Sequence, residues 1–203
     1  MRPKCRVGVL VSGNGTNLQA ILDACEEKAY PAEVCIVISN DAKAFALKRA
    51  EKKGIQTAVV PHGSFATRET FEEELISILE RTGVDLVALA GFMRVLSPHF
   101  VRHYAGRILN IHPALLPSFP GTHAIQQALN CGVKVTGVTV HFVDEGTDTG
   151  PIILQEAVDI TPQDTLEELE ERIHRVEHRL FPEAIRLFAE GKIKKDTYEN
   201  TPS

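Results

Sequence analysis

Residues 6–25 read RVGVLVSGNGTNLQAILDAC, and this stretch decides the fold class. Arg6–Val11 is a short apolar run rich in valine, which reads as a strand. From Asn17 to Lys28, Leu18, Ile21, Leu22 and Cys25 recur at helical spacing on one face. Between them lies SGNGTN, a turn whose two glycines let the backbone approach closely and double back. A strand that turns directly into a helix is the first half of a βαβ unit, and such units build parallel sheets.

The rest of the chain repeats the alternation. Strands are expected at Glu33–Ser39, Gln56–Val60, Asp85–Ala90 and Arg107–Ile111. Helices are expected at Ala44–Lys53, stopped by Gly54, and at Arg68–Arg81, stopped by Gly83. Ser97-Pro98 is an N-cap and first-turn pair for a helix through His103, and His123–Asn130 reads as another helix. The pattern then changes. Val135–Val143 and Ile152–Val158 lie eight residues apart and read as an antiparallel pair closing one edge of the sheet. Thr165 and Glu168 form a capping box for a long helix, which Pro182 is expected to kink or restart. The expected architecture is α/β: a Rossmann-like, mostly parallel central sheet with helices on both faces and an antiparallel edge. One domain over 1–203 is expected, with a polar, fraying tail from about residue 192.

Composition narrows the function. The chain has 203 residues, 22 Lys plus Arg against 27 Asp plus Glu, and a formal charge of −5. An acidic chain is poorly suited to general nucleic-acid or membrane-surface binding, because phosphate attraction wants the opposite sign. No apolar run approaches the roughly 20 residues of a membrane helix, and Val7–Val11 is too short for a signal-peptide core. A cytoplasmic setting is expected. The four cysteines form no CxxC pair, which argues against structural zinc or redox chemistry.

Four places carry candidate chemistry. SGNGTN opens a helix whose N-terminal N–H groups suit an anion. It lacks the third glycine of a dinucleotide fingerprint, where Leu18 stands, and the GK[ST] ending of a P-loop. A tight turn that binds nothing is the alternative. In LNIHPALLP (Leu109–Pro117), Asn110 and His112 stand at i and i+2 and so point to the same side of a strand. An amide and an imidazole converging there can bind a carbonyl oxygen and move a proton; a polar pair capping a loop is the alternative. The loop DEGTDTG (Asp144–Gly150) is either a solvated hairpin or a lid that brings an acid to His112 and keeps it protonated near neutral pH. His174–His178 spells HxxEH, a zinc pattern, but no third ligand is evident and a solvated helix face explains it adequately.

Taken together, SGNGTN, AGFMRVLS (Ala90–Ser97), LNIHPALLPSFPG (Leu109–Gly121) and GVTVHFVDEGTDTGPIILQ (Gly137–Gln155) resemble the phosphoribosylglycinamide formyltransferase family. The resemblance runs from about Arg6 to Gly191 and implies a seven-stranded, Rossmann-like formyltransferase fold. It implies 10-formyltetrahydrofolate as a consumed co-substrate, glycinamide ribonucleotide as the acceptor, no metal, and a monomer or homodimer. Asn110, His112 and Asp148 would be the catalytic trio. Gly15, Thr16 and Asn17 would hold the substrate phosphate, and Glu177 would touch the same substrate. Arg68 and the segment Met93, Arg94, Val95 and Leu96 would contact the folate, with Asn110, Val143 and Asp144 lining its pocket. His141 would lie near the site without a proton role. Two departures are small. Thr16 stands where the family often has serine, and Ala114 where serine is common.

The implied chemistry is attack of the acceptor amine on the formyl carbon. Asn110 and protonated His112 would donate hydrogen bonds to the oxyanion, and Asp148 would orient His112 and raise its pKa by charge pairing. A methionyl-tRNA formyltransferase would need a further domain and a basic face, and a formyltetrahydrofolate hydrolase commonly carries a further N-terminal domain. A noncatalytic folate or nucleotide binder would not require the full trio, and a zinc hydrolase would require metal.

Overall fold

The computed structural model describes residues 3–193 of the chain. Seven strands form one sheet: β1 (Cys5–Val11), β2 (Ala32–Ser39), β3 (Gln56–Val59), β4 (Leu86–Leu89), β5 (Ile108–His112), β6 (Val135–Phe142) and β7 (Ile152–Asp159). Their order is β3-β2-β1-β4-β5-β6-β7. The first five are parallel, and β6 and β7 run antiparallel at one edge. The expected Rossmann-like sheet is therefore present, including its antiparallel edge.

Six helices cover the two faces: α1 (Thr16–Glu26), α2 (Phe45–Lys52), α3 (Arg68–Arg81), α4 (Pro98–His103), α5 (Ala124–Cys131) and α6 (Leu166–Ala189). Leu18, Ile21 and Leu22 of α1 pack with Leu169, Ile173 and Phe181 of α6 against Val9, Val11 and Val140. On the other face, Phe71, Leu75 and Leu79 of α3 pack with Phe100 of α4 against Leu10, Ile38 and Val87. β1, β2 and β4 are covered on both faces, and so read as continuous apolar runs.

The local signals behave as their chemistry requires. Ser97 accepts from the N–H of Phe100 at the start of α4. Thr165 and Glu168 form the reciprocal capping box of α6, and Thr67 with Thr70 forms a second one on α3. α6 does not restart at Pro182 but runs through it as one helix. Proline removes the donor that the His178 carbonyl would have used. The helix is held across that gap by the buried Phe181, Ala184 and Ile185, and the Tyr30 hydroxyl donates to the Pro182 carbonyl at 2.7 Å. The polar tail lies outside the described residues from 194 onward. Among the described residues no helix is long and apolar enough to cross a membrane.

Candidate active site

The chain passes from β1 outward to β2 and β3, then returns to β4 and β5 on the other side of β1. The carboxyl ends of β1 and β4 therefore lead into opposite connections, the switch point beyond which open α/β sheets bind ligands. Three segments meet at it: residues 12–17 after β1, residues 91–97 after β4, and the end of β5.

The first segment is stapled into place. Ser12 N–H donates to the Gly91 carbonyl at 3.1 Å, and Ser12 Oγ accepts from Met93 N–H at 2.8 Å while donating to Asn40 Oδ1 at 2.5 Å. Arg49 grips Asn14 twice, through its carbonyl and its Oδ1, both at 2.9 Å. Gly15 sits at the N-cap of α1 with φ +75°, a left-handed conformation. An added Cβ there would lie 2.5 Å from Ala46 Cβ. No side chain caps α1, and its first turn carries no acid. The positive end of the helix is thus presented without an acid of its own.

The second group gathers from three elements. Asn110 and His112 share a face of β5, and the antiparallel register sets His141 of β6 directly opposite Asn110. The loop after β6 folds back over them and delivers Asp148 in a left-handed conformation, φ +55°, which aspartate tolerates better than most residues. Asp148 Oδ2 lies 3.4 Å from His112 Nδ1 and accepts from Gly121 N–H at 2.8 Å. Asp148 Oδ1 accepts from Asn110 Nδ2 at 3.3 Å and lies 3.6 Å from His141 Nε2. His112 Nε2 faces the Phe119 carbonyl at 2.8 Å. Both ring nitrogens of His112 thus face acceptors only, and a doubly protonated ring satisfies both.

His141 is fixed differently. Its Nδ1 faces the Phe142 carbonyl at 2.8 Å, which requires a proton on that nitrogen. In the neutral ring Nε2 then accepts from Asn110 Nδ2 at 3.2 Å. Burial pushes the Asp148 carboxyl up, but the neighbouring His141 and His112 rings and the Gly121 N–H outweigh that and hold it below its ordinary value. Thr139, opposite His112, shapes the turn beyond β5. Its Oγ1 donates to the Ala114 carbonyl at 2.7 Å and accepts from Leu116 N–H at 3.1 Å. Ala114 is fully buried, so a hydroxyl at this position would need a partner inside the turn.

A strand-end amide, imidazole and carboxylate beside an open helix N-terminus can polarise a carbonyl next to a bound anion. The sequence profile described as "Formyl transferase" matches residues 5–185. The chain belongs to the formyl transferase family. It is 47% identical to the phosphoribosylglycinamide formyltransferase of Escherichia coli K12, over 92% of this chain and 88% of that protein. It is 50% identical over 94% of its length to the trifunctional purine biosynthetic protein adenosine-3 of Bos taurus, of which it spans only 19%. It superimposes on the glycinamide ribonucleotide transformylase 1 structure of Symbiobacterium toebii with a TM-score of 0.92, at 51% identity, covering 94% of this chain and 90% of that one.

The remaining expected residues of this formyl transferase fall into three places. Asn17 Nδ2 donates to Glu177 Oε2 at 3.0 Å, joining the α1 turn to α6 across 160 residues. Burial pushes the Glu177 carboxyl up. Met93 and Val95 are 71% and 66% exposed, whereas Leu96 is buried in the core beneath them. Arg68 is exposed at the start of α3, on the helix that packs behind this segment. Val143 packs against the same core, and Asp144 Oδ1 accepts from Gly146 N–H and Thr149 Oγ1, which shapes a loop that is otherwise exposed. A cavity of about 240 Å³ opens beside Asp148, between Leu116, Pro120, Thr149 and Ile152.

The HxxEH helix resolves into separate roles. His174 and His178 stack on one another with ring centroids 6.1 Å apart, while Glu177 turns inward to Asn17. Among the described residues no three His, Cys, Asp or Glu side chains gather into a metal-binding group. His141 is the participant whose part the sequence left blank. The signal for it is the register: in an antiparallel pair, only the residue opposite Asn110 reaches its amide.

Proposed function

We propose that this chain transfers the formyl group of 10-formyltetrahydrofolate to the amine of glycinamide ribonucleotide, yielding formylglycinamide ribonucleotide and tetrahydrofolate for purine synthesis in the cytoplasm. The observation that carries the reading is the enclosure of Asp148 by Asn110, His112, His141 and the Gly121 N–H, next to the uncapped N-terminus of α1. The Escherichia coli and Symbiobacterium toebii relatives carry glycinamide ribonucleotide formyl transfer in their names, and the site chemistry suits it.

Gly15, Thr16 and Asn17 receive the phosphate through backbone N–H groups, and Glu177 lies within reach of the same ligand through its partner Asn17. The acceptor amine attacks the formyl carbon of the folate. Negative charge develops on the formyl oxygen, and Asn110 and protonated His112 donate to it. The structure shows what must give way. His112 Nε2 faces the Phe119 carbonyl, and both Asn110 amide hydrogens face protein acceptors at 3.2 and 3.3 Å. The Asn110 bonds are long, and an oxyanion is a better acceptor than the neutral Phe119 carbonyl that His112 faces. Exchange of Phe119 for the oxyanion therefore strengthens the His112 bond as the transition state forms, which is the differential binding that catalysis needs. The tetrahedral intermediate then expels the folate nitrogen. The proton lost by the amine ends on that nitrogen by way of solvent. Arg68, Met93, Arg94, Val95, Leu96, Val143 and Asp144 hold the folate, with Asn110 at its formyl end.

The product tests the reading. With folate carrying a ¹³C-labelled formyl group, the label should appear as a formamide on the glycinamide nitrogen; label recovered as free formate would contradict it and indicate a hydrolase. The phosphate role has its own test. Gly15→Ala adds a Cβ to a left-handed residue, at a cost of about 1–2 kcal/mol, and drives it into Ala46. The variant should raise KM for glycinamide ribonucleotide about tenfold or more with little change for the folate. An unchanged ribonucleotide KM would remove the loop from the phosphate site.

A further inference from the structure

Glu72 is a carboxylate with no part in the mechanism, and it is fully buried. It stands on the apolar stripe of α3, between Phe71 and Leu75. A charged group is not left out of water without hydrogen-bond partners. Glu72 has two, and both belong to one residue. Its Oε1 accepts from Ser97 N–H at 2.7 Å, and its Oε2 accepts from the Ser97 hydroxyl. Ser97 in turn caps α4 by accepting from Phe100 N–H.

Ser97 ends the segment that begins at Met93, and the other end is also pinned, by Met93 N–H to Ser12 Oγ at 2.8 Å. Phe92 and Leu96 are sunk in the core below. Between the pins, Met93 and Val95 are the two most exposed large apolar side chains among the described residues. Exposed apolar side chains on backbone that is fixed at both ends form a preformed surface for a flat apolar ligand.

We infer that Glu72 is a positioning residue for the formyl donor: through Ser97 it fixes the Met93–Leu96 segment on which the folate ring system rests. The inference deepens the function proposed above and rests on it. Glu72 does not touch substrate. Its carboxylate sets the height and direction of the segment, and the segment sets the folate.

The test is calorimetric titration of the purified chain with an unreactive folate and, separately, with glycinamide ribonucleotide. Glu72→Gln keeps the shape and one acceptor oxygen but turns an amide toward the Ser97 hydroxyl. It should weaken folate binding about tenfold and leave the ribonucleotide constant within about twofold. Ser97→Ala removes the hydroxyl from the other side and should do the same, and the double variant should lose less than the sum of the two. Ser97→Ala also carries the test if Glu72→Gln does not fold. A purely structural role would lower Tm and leave both constants unchanged in the folded protein, or weaken both alike. Either result overturns the inference. Wild-type protein that binds no folate overturns the proposed function itself, and is seen before any variant is made.

Discussion

Replacing His112 by alanine should lower kcat by about 10²–10³-fold, the usual effect of losing one oxyanion donor. KM for glycinamide ribonucleotide should stay within a few fold, because the lost interaction belongs to the transition state. The side chain is 5% exposed and ends β5 under the turn pinned by Thr139. Its removal leaves a small void but breaks no backbone pairing, since the strand bonds of β5 are main-chain. The ring in its charged form offers two donors, one to Asp148 and one that exchanges Phe119 for the oxyanion. Asn110→Ala in the same background should lose less than the sum of the two single changes, because the pair acts on one oxygen. Steady-state kinetics on both single variants and the double variant measures this. A His112→Ala enzyme with near-native kcat would remove the imidazole from the reaction.

Asp148→Asn is the second large effect, and its shape is the informative part. Asparagine is isosteric and also tolerates the left-handed backbone at φ +55°, so the loop should keep its path. Its oxygen can take the place of Oδ2, accepting from Gly121 N–H and facing His112 Nδ1. Its amide then takes the place of Oδ1 and meets Asn110 as a donor against a donor, and the negative charge beside His112 is gone. We expect kcat to fall about 10²–10⁴-fold near pH 7. Equal activity of the two proteins across neutral pH would refute the pairing. Stability carries a separate signature. The folded Asp148 carboxyl titrates below its ordinary value of 3.8. Its contribution is therefore present above the ordinary carboxylate range and lost as pH falls through the lower folded value. Asp148→Asn should flatten the acid limb of the unfolding curve below about pH 4, as denaturant midpoints against pH would record.

Much of this was legible in residue order. Apolar runs of strand length alternating with 3.6-period stretches define the parallel sheet, and the shift to two neighbouring β-runs marks the antiparallel edge. The i, i+2 spacing places Asn110 and His112 on one side of β5 without further information. Asp148 was not legible from spacing. It reaches His112 through a loop whose path depends on a left-handed residue and on Gly121, and only the resemblance of the whole motif series named it. The resemblance placed His141 near the site, but its contact with Asn110 needed the register of β6 against β5, which a sequence does not state. Glu72 was hidden for the opposite reason. A glutamate next to Phe71 on a helix reads as the polar flank of the buried stripe, and only the fold shows that Ser97 comes to meet it. Pro182 does not restart α6 because helix propensity is local, whereas the packing of Phe181 and Ile185 that carries the helix through it is tertiary.

The central claim is that the cluster around Asp148 moves a formyl group to a phosphorylated amine. Absorbance at the formyl folate band, with and without glycinamide ribonucleotide, tests it most directly. The account predicts deformylation that requires the ribonucleotide and is abolished to the stated degree in His112→Ala. Deformylation at the same rate without the ribonucleotide would contradict it, making water the acceptor and leaving the α1 turn without its phosphate.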